Sequence, residues 1–209
     1  MIAQIEILVK TKFDGEGTGH DWYHIDRVRR TALLIGRAEG ADLELVELGA
    51  LLHDIDDHKF NGHDLEAGPL KAREIVLACG GDAALADKVS AIVSEVTYRG
   101  AEVATPISSI ESASVQDADR LDAMGAIGIA RAFAYGGSKG RLLHSPERPP
   151  RQHESFEEYV ADEGATTNHF YEKLLLLKDR MQTATGRKLA VDRHAFMEIF
   201  LNQFFGEWG

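Results

Sequence analysis

Apolar residues recur at steps of three and four along most of the chain, which is the pattern of amphipathic helices. The first clear helix starts at Asp21 and runs to Ala38. Gly40 is suited to end this helix, and Asp42 is suited to cap the start of the next one. That next segment, Leu43 to about Asp54, is apolar around most of its circumference and is therefore predicted to be a central helix. The stripe of the first helix consists of Ile25, Val28, Ala32 and Ile35.

The same pattern continues to the end of the chain, so we predict an all-α fold. Alternation with period two is short, and Glu102 to Ile107 is the best strand candidate. Glycine inside a helix costs about 1 kcal/mol relative to alanine, so the small residues after Ile110 indicate close helix packing. The further predicted helices are Lys71–Cys79, Asp82–Val96, Ile110–Tyr135 and a C-terminal pair at Asn168–Met181 and Gly186–Phe205.

Composition indicates an ordinary globular protein. A chain of 209 residues with 44% hydrophobic residues is long enough for one domain, predicted to span 1–209, with a full core. The net charge of −11 argues against broad binding to nucleic acid or anionic membranes. Because no apolar stretch reaches the roughly 18 residues of a membrane span, we expect a soluble cytoplasmic protein. The single cysteine, Cys79, is interpreted as a small apolar residue.

One segment breaks the helical pattern. Gly136 to Phe156 collects glycines, prolines and charges, and long loops of this kind are either mobile surface or functional. Two interpretations stay open here: a mobile surface loop, or a substrate lid that carries Lys139 and Arg141.

The dipeptide His-Asp occurs three times, at positions 20, 53 and 63. His63-Asp64 lies among glycines and a proline without apolar support, so we interpret it as a solvated turn. His53-Asp54 ends the most apolar helix, where a buried imidazole and carboxylate need partners. Either the side chains of His53 and Asp54 hydrogen-bond to each other, or both bind a metal ion. His20-Asp21 starts the first clear helix, where Asp21 can cap the helix end.

Two other segments supply ligand-type residues for His53 and Asp54. His24 lies on the first clear helix, and Asp119 lies on a helix of small and apolar residues. Two imidazoles and two carboxylates from three helices suit a divalent transition metal.

At these residues the chain resembles a known family. GHDWYHIDRV, ALLHDIDDHKF, VQDADRLDAMGAIGIARAFAYGG and HFYEKLLLLKDRM are similar to motifs of the HD-domain metal-dependent phosphohydrolases, in their YedJ/YpgQ-like bacterial single-domain branch. The resemblance spans Gly19 to Phe204. It implies an HD helical bundle with its core at about 19–135, a mobile loop at about 136–156 and C-terminal helices at about 168–205. The metal ligands that it implies are His24, His53, Asp54 and Asp119.

The resemblance also bears on the number of metal ions. Relatives with two ions carry extra histidines on helices between the His-Asp pair and the last aspartate. In this chain that interval holds His58 and His63, both directly after the pair. We therefore predict one divalent transition metal, Mn²⁺, Fe²⁺, Co²⁺, Ni²⁺ or Zn²⁺, with Mn²⁺ favoured.

Catalytic roles follow the same resemblance. Asp57, four residues after His53, matches an acidic catalytic residue of related enzymes and is the candidate general base. His20, one helical turn before His24, is a candidate for contacting phosphate or donating a proton. The candidate substrate contacts are Arg27, Lys59, Arg120, Lys139, Arg141 and Lys173. For Arg27, Lys59 and Arg120 the alternative is a surface ion pair, and for Lys139 and Arg141 it is a mobile surface loop.

These observations favour a metal-dependent phosphohydrolase of nucleotides, with (deoxy)nucleoside triphosphate pyrophosphohydrolysis as the specific hypothesis. A nucleoside 5′-monophosphatase, or another phosphomonoesterase or phosphodiesterase, is the enzymatic alternative. A nucleotide sensor without turnover is the non-enzymatic one. The expected partner is a small phosphate substrate, with no nucleic acid and no membrane, and a homodimer is compatible with the sequence.

Overall fold

Helices make up all the regular structure that the computed structural model describes, which covers residues 1–15, 19, 21–56, 65–97, 107–151, 158 and 164–209. The all-α prediction is confirmed. None of the helices in these residues has the length and apolar character that crossing a membrane requires. In chain order they are α1 (Ile2–Lys12), α2 (Trp22–Glu39), α3 (Leu43–Leu52), α4 (Ala67–Ala78), α5 (Ala83–Val96), α6 (Ile110–Asp122), α7 (Gly125–Ser138), α8 (Asn168–Glu172), a 3-10 helix (Leu174–Arg180) and α9 (Ala184–Trp208).

Helix ends near the N-terminus follow the capping residues of the sequence. The side chain of Asp21 accepts a hydrogen bond from the backbone N–H of His24 at 2.9 Å, so the predicted cap of α2 is confirmed. Gly40 ends α2 in the left-handed conformation, with a φ of 76° that glycine adopts without strain. Asp42 accepts from the N–H groups at the start of α3.

Several elements differ from the predictions. The first eleven helical residues, α1, were not predicted, although Ile5 and Val9 are fully buried. The predicted helix from Ile110 to Tyr135 is two helices, because Gly125 has a φ of 68° and interrupts the helical path. The predicted helix from Asn168 is a single turn of α-helix followed by a 3-10 helix. The strand candidate at Glu102 lies outside the described residues except for its last position, Ile107, which is not in a strand.

The chain divides into two compact units. Among the described residues, the first consists of residues 1–97 and 107–119, and the second of residues 120–209. In the first unit α2 packs on α3 and α4 on α5, around buried Ile25, Leu48, Leu51 and Ile92. In the second unit α9 packs on α7 and the 3-10 helix, with a cluster of phenylalanine rings in contact. A single domain over 1–209 stays a prediction.

Gly49 allows α3 to approach α5 closely. A Cβ atom at this position would lie 2.6 Å from Cγ2 of Ile92, closer than carbon atoms pack. Gly49 lies one turn before His53. The contact at Gly49 therefore sets how close the C-terminal end of α3 lies to α5.

We therefore expect Gly49→Ala to destabilise the protein by about 1–3 kcal/mol, because overpacking forces α3 and α5 apart. Chemical unfolding followed by circular dichroism measures this difference. Gly137→Ala is the matched control, since a Cβ there meets nothing within 4 Å and alanine favours the helix. Equal stability of Gly49→Ala and the unmodified protein would contradict the tight α3–α5 contact.

Candidate metal centre

Four side chains converge in the first unit. His24 lies on α2, His53 directly follows α3, Asp54 comes next, and Asp119 lies on α6. The Nε2 atoms of His24 and His53 are 3.2 Å apart. Oδ2 of Asp54 lies 3.3 Å from Nε2 of His24 and 3.6 Å from Nε2 of His53. Oδ1 of Asp119 lies 3.6 Å and 3.9 Å from the same two nitrogens. The structure thus brings together all four residues that the sequence predicts as ligands.

These spacings fit a single ion. Nitrogen and oxygen ligands bind a transition metal at about 2.0–2.2 Å, which places neighbouring donor atoms about 3.0–3.6 Å apart. One donor atom each from His24, His53 and Asp119 lies within 4.8 Å of the others. Both imidazoles are fully buried, whereas the side chains of Asp54 and Asp119 are 14% and 30% exposed. Substrate and water can therefore approach from the carboxylate side.

A backbone carbonyl sets the orientation of one ligand. Nδ1 of His53 lies 2.8 Å from the carbonyl oxygen of Ala50, which accepts its hydrogen bond. Because Nδ1 carries the proton, the lone pair of Nε2 points toward His24 and is available to a metal. Ala50 is in the last turn of α3, where carbonyls have no partner within the helix. Sequence reasoning missed this contact, although the position of His53 at a helix end indicates it.

Buried polar residues hold the helix that carries Asp119. Ser114, Gln116 and Asp117 are buried on α6, and Nε2 of Gln116 donates to the carbonyl oxygen of Glu95 at 2.6 Å. This hydrogen bond joins α6 to α5. It fixes the rotation of α6 one turn before Asp119.

The other predicted site residues are not tested by this geometry. His20, Asp57 and Lys59 lie outside the described residues, as do His58 and His63. Arg27 is half-buried on α2, three residues after His24. The remaining four, all in the second unit, are Arg120, Lys139, Arg141 and Lys173.

The side chains of Arg120 and Lys139 make contacts within the second unit. Arg120 is buried, and its guanidinium donates to the carbonyl oxygen of Arg180. Nζ of Lys139 lies 5.7 Å from the centre of the ring of half-buried Tyr135. These contacts give Arg120 and Lys139 packing roles, and their substrate roles stay predictions.

Asp122, one turn after Asp119 on α6, belongs to a buried ionic cluster. Its Oδ2 accepts from Nη1 of Arg131 at 3.0 Å. Burial lowers the pKa of the Arg193 guanidinium, and the charge of Asp122 partly offsets that effect. Arg193 also donates to the carbonyl oxygen of Leu121. The carboxylate of Asp122 thus offsets the positive charges of Arg131 and Arg193 in the second unit.

Residues 139–151, the non-helical part of the predicted loop that the structure describes, are hydrogen-bonded to the segment around α8. Backbone N–H groups of Thr166 and Thr167 donate to the carbonyls of residues 142 and 143, at 2.9 and 3.0 Å. Nδ2 of Asn168 donates to the carbonyl of Arg148, and buried Glu172 accepts from the N–H of Arg151. The loop was predicted to start at Gly136, but residues 136–138 form the last turn of α7, and the described chain is non-helical from Lys139 to Arg151. Its mobility stays a prediction.

Comparisons with known proteins identify the family of the chain. Residues 21–124 match the HD domain family model. The Bacillus subtilis (strain 168) protein YpgQ is 40% identical over 202 residues, which cover 96% of this chain and 90% of YpgQ.

Solved structures agree over nearly the whole chain. A crystal structure of a Lactobacillus plantarum protein has a TM-score of 0.85 and 36% identity, covering 99% of this chain and 96% of that chain. An HD-superfamily hydrolase from Bacillus thuringiensis has a TM-score of 0.75 and 40% identity, with 99% and 96% covered. Bacillus subtilis YpgQ in complex with ADP has a TM-score of 0.74 and 33% identity, with 99% and 97% covered. From its sequence, its fold and its convergent histidines and aspartates, the chain belongs to the HD-domain superfamily of metal-dependent phosphohydrolases, among the relatives of YpgQ.

Proposed function

We propose that the substrate is a nucleotide, and specifically that the chain hydrolyses (deoxy)nucleoside triphosphates to the monophosphate and pyrophosphate. The observation that carries this proposal is the cluster of His24, His53, Asp54 and Asp119, in which the two Nε2 atoms are 3.2 Å apart and each carboxylate has an oxygen 3.3–3.9 Å from both of them. The chain has a net charge of −11, so an anionic substrate needs a local cation to approach it. The crystal structure of YpgQ in complex with ADP supports the nucleotide class.

The protein supplies ligands, orientation and a base. His53, fixed by Ala50, and His24 offer neutral nitrogens, while Asp54 and Asp119 balance the positive charge of an ion. These four residues would hold a divalent ion, which would supply Lewis-acid chemistry by polarising a phosphoryl oxygen and lowering the pKa of a bound water. We favour one Mn²⁺ per chain, since two imidazoles and two carboxylates suit the divalent transition metals.

In the proposed reaction a water oxygen attacks the α-phosphorus of the triphosphate. The bond from that phosphorus to the bridging oxygen breaks, and pyrophosphate leaves with the electron pair. Asp57 accepts the proton of the attacking water, in the role of general base. His20 contacts a phosphate oxygen or returns a proton to the leaving group.

Basic residues complete the proposed substrate site. Arg27 is on the same helix as His24, and Lys59 follows the His-Asp pair closely in sequence. We propose that these two contact the phosphates, together with Arg120, Lys139, Arg141 and Lys173. A cytoplasmic location and the absence of nucleic-acid and membrane partners remain predictions from charge and hydropathy.

A panel of nucleotides tests the substrate. Nucleoside tri-, di- and monophosphates in ribose and deoxyribose forms are each incubated with Mn²⁺, Co²⁺, Ni²⁺ or Zn²⁺. Products are identified by anion-exchange chromatography, and His53→Ala, purified in parallel, controls for contaminating phosphatases. We expect triphosphates to yield pyrophosphate and the monophosphate. Orthophosphate released from monophosphates alone would indicate the 5′-monophosphatase, and saturable binding without product would indicate the sensor.

A further inference from the structure

Contacts between the two helices that position the predicted histidine ligands occur at three levels. α2 and α3 are joined by the short turn at residues 40–42 and run antiparallel. Moving away from the turn, the contacts are Gly36 with Val46, Arg29 with Glu47, and His24 with His53. The pair of predicted ligands lies at the end of the two helices that is farthest from the turn.

The middle contact joins three helices through one guanidinium. Nε of Arg29 donates to Oε1 of Glu47 at 2.8 Å, and Nη2 donates to the same oxygen. Nη1 of Arg29 lies 3.1 Å from Oε2 of Glu6 on α1. The Arg29 and Glu47 side chains are 20% and 19% exposed, so solvent screens this pair less than it screens a surface pair. Burial by itself lowers the pKa of Arg29, but the carboxylates of Glu47 and Glu6 raise it above its usual value.

The metal centre requires such a constraint. Two carboxylates at one point repel each other, and two imidazole nitrogens that both lack a proton do so as well, so holding the four groups together for a metal costs free energy. Along a helix, Arg29 is five residues from His24, or about 7.5 Å, and Glu47 is six residues from His53, or about 9 Å. If α2 and α3 separate at this end, the two Nε2 atoms move beyond the spacing that one ion spans.

We propose that the Arg29–Glu47 pair is a positioning element that sets the separation of His24 and His53 and thereby the affinity of the site for its metal. This inference rests on the proposed metal site and is independent of the substrate. A broken pair lets the empty site relax, so part of the binding energy is then used to draw the helices together again. Partners that orient metal ligands typically change metal affinity by about 10- to 100-fold when removed.

The test uses Co²⁺ as the probe, with the dissociation constant obtained from its d–d absorption in competition with a chelator. The variants are Arg29→Met, Glu47→Gln and the double variant, all in the full chain. We expect each single variant to bind Co²⁺ about 10-fold more weakly, and the double variant to bind no more weakly than either. The absorption spectrum should also shift, because the ligand geometry relaxes.

Two rival roles give different results. If the pair acted only through its charges, Arg29→Met would tighten Co²⁺ binding and Glu47→Gln would weaken it, which would overturn the proposal. If the pair only stabilised the fold, the melting temperature would fall while the Co²⁺ affinity stayed the same, which would also overturn it. Wild-type protein that fails to bind Co²⁺ would refute the metal site itself, a distinguishable outcome.

A second ion pair in the same unit provides the control. Nε of Arg73 donates to Oδ1 of Asp87 at 2.6 Å and joins α4 to α5, which carry no predicted ligand. Arg73→Met and Asp87→Asn should leave the Co²⁺ dissociation constant unchanged. Arg29→Lys and Glu47→Asp, which keep both charges, serve if the larger changes prevent folding. We expect them to weaken Co²⁺ binding, because lysine lacks the fork of donors and aspartate is too short; unchanged affinity in both would overturn the proposal.

Discussion

Asp119→Ala is expected to lose the bound metal and the hydrolytic activity together. The Asp119 carboxylate lies 3.6 and 3.9 Å from the two imidazole nitrogens and is one of two negative charges at the site. Removing a ligand should weaken metal binding by more than the 10- to 100-fold typical of residues that only orient ligands. Mass spectrometry of the metal content after dialysis, with kcat/KM measured on the same sample, detects both losses.

Asp192→Ala is the control for Asp119→Ala, since it removes an exposed carboxylate from a helix of the second unit. It should keep both metal and activity. Full activity of Asp119→Ala after dialysis against chelator would show that Asp119 is not a ligand.

Asp57→Asn is expected to retain the metal but lose about 10²–10⁴ in rate, the usual effect of removing a general base. The loss should appear in kcat, with metal content and folding unchanged, because the amide is nearly isosteric with the carboxylate. Asp54→Ala is the informative comparison. Asp54 lies three residues before Asp57, yet the Asp54→Ala variant should lose metal and activity together.

Two results would change the assignment of Asp57. Loss of metal from Asp57→Asn would make Asp57 a ligand, and the set of four would be wrong. A wild-type kcat would place the base elsewhere, and His20 would be tested next. Asp122 is a weaker candidate, because its carboxylate is paired with Arg131.

Local sequence signals predicted the helices that carry the site. The stripe of Ile25 and Val28 predicted α2, and the caps Asp21, Gly40 and Asp42 set the ends of α2 and the start of α3. These signals succeed because capping and periodicity depend on residues within a few positions of each other. The proximity of His24, His53, Asp54 and Asp119 was expected from the sequence too, because a histidine and an aspartate at the end of an apolar helix need partners.

Contacts between distant residues account for what the sequence did not show. The helix breaks at Gly125, which lies against the side chain of Arg193, nearly seventy residues later in the chain. A Cβ atom at position 125 would lie 3.2 Å from Cγ of Arg193. Small residues around Gly125 fit a continuous helix equally well, so periodicity could not reveal the break. Arg29 and Glu47 each look like ordinary charges on a helix face until α2 and α3 pack together.

Anomalous scattering from crystals grown with Mn²⁺ tests the central claim most directly. A single peak is predicted, within about 2.0–2.3 Å of Nε2 of His24, Nε2 of His53 and a carboxylate oxygen from each of Asp54 and Asp119. Two peaks at the site would contradict the single-ion prediction. Crystals of active protein with no peak between the two imidazoles would contradict the account as a whole.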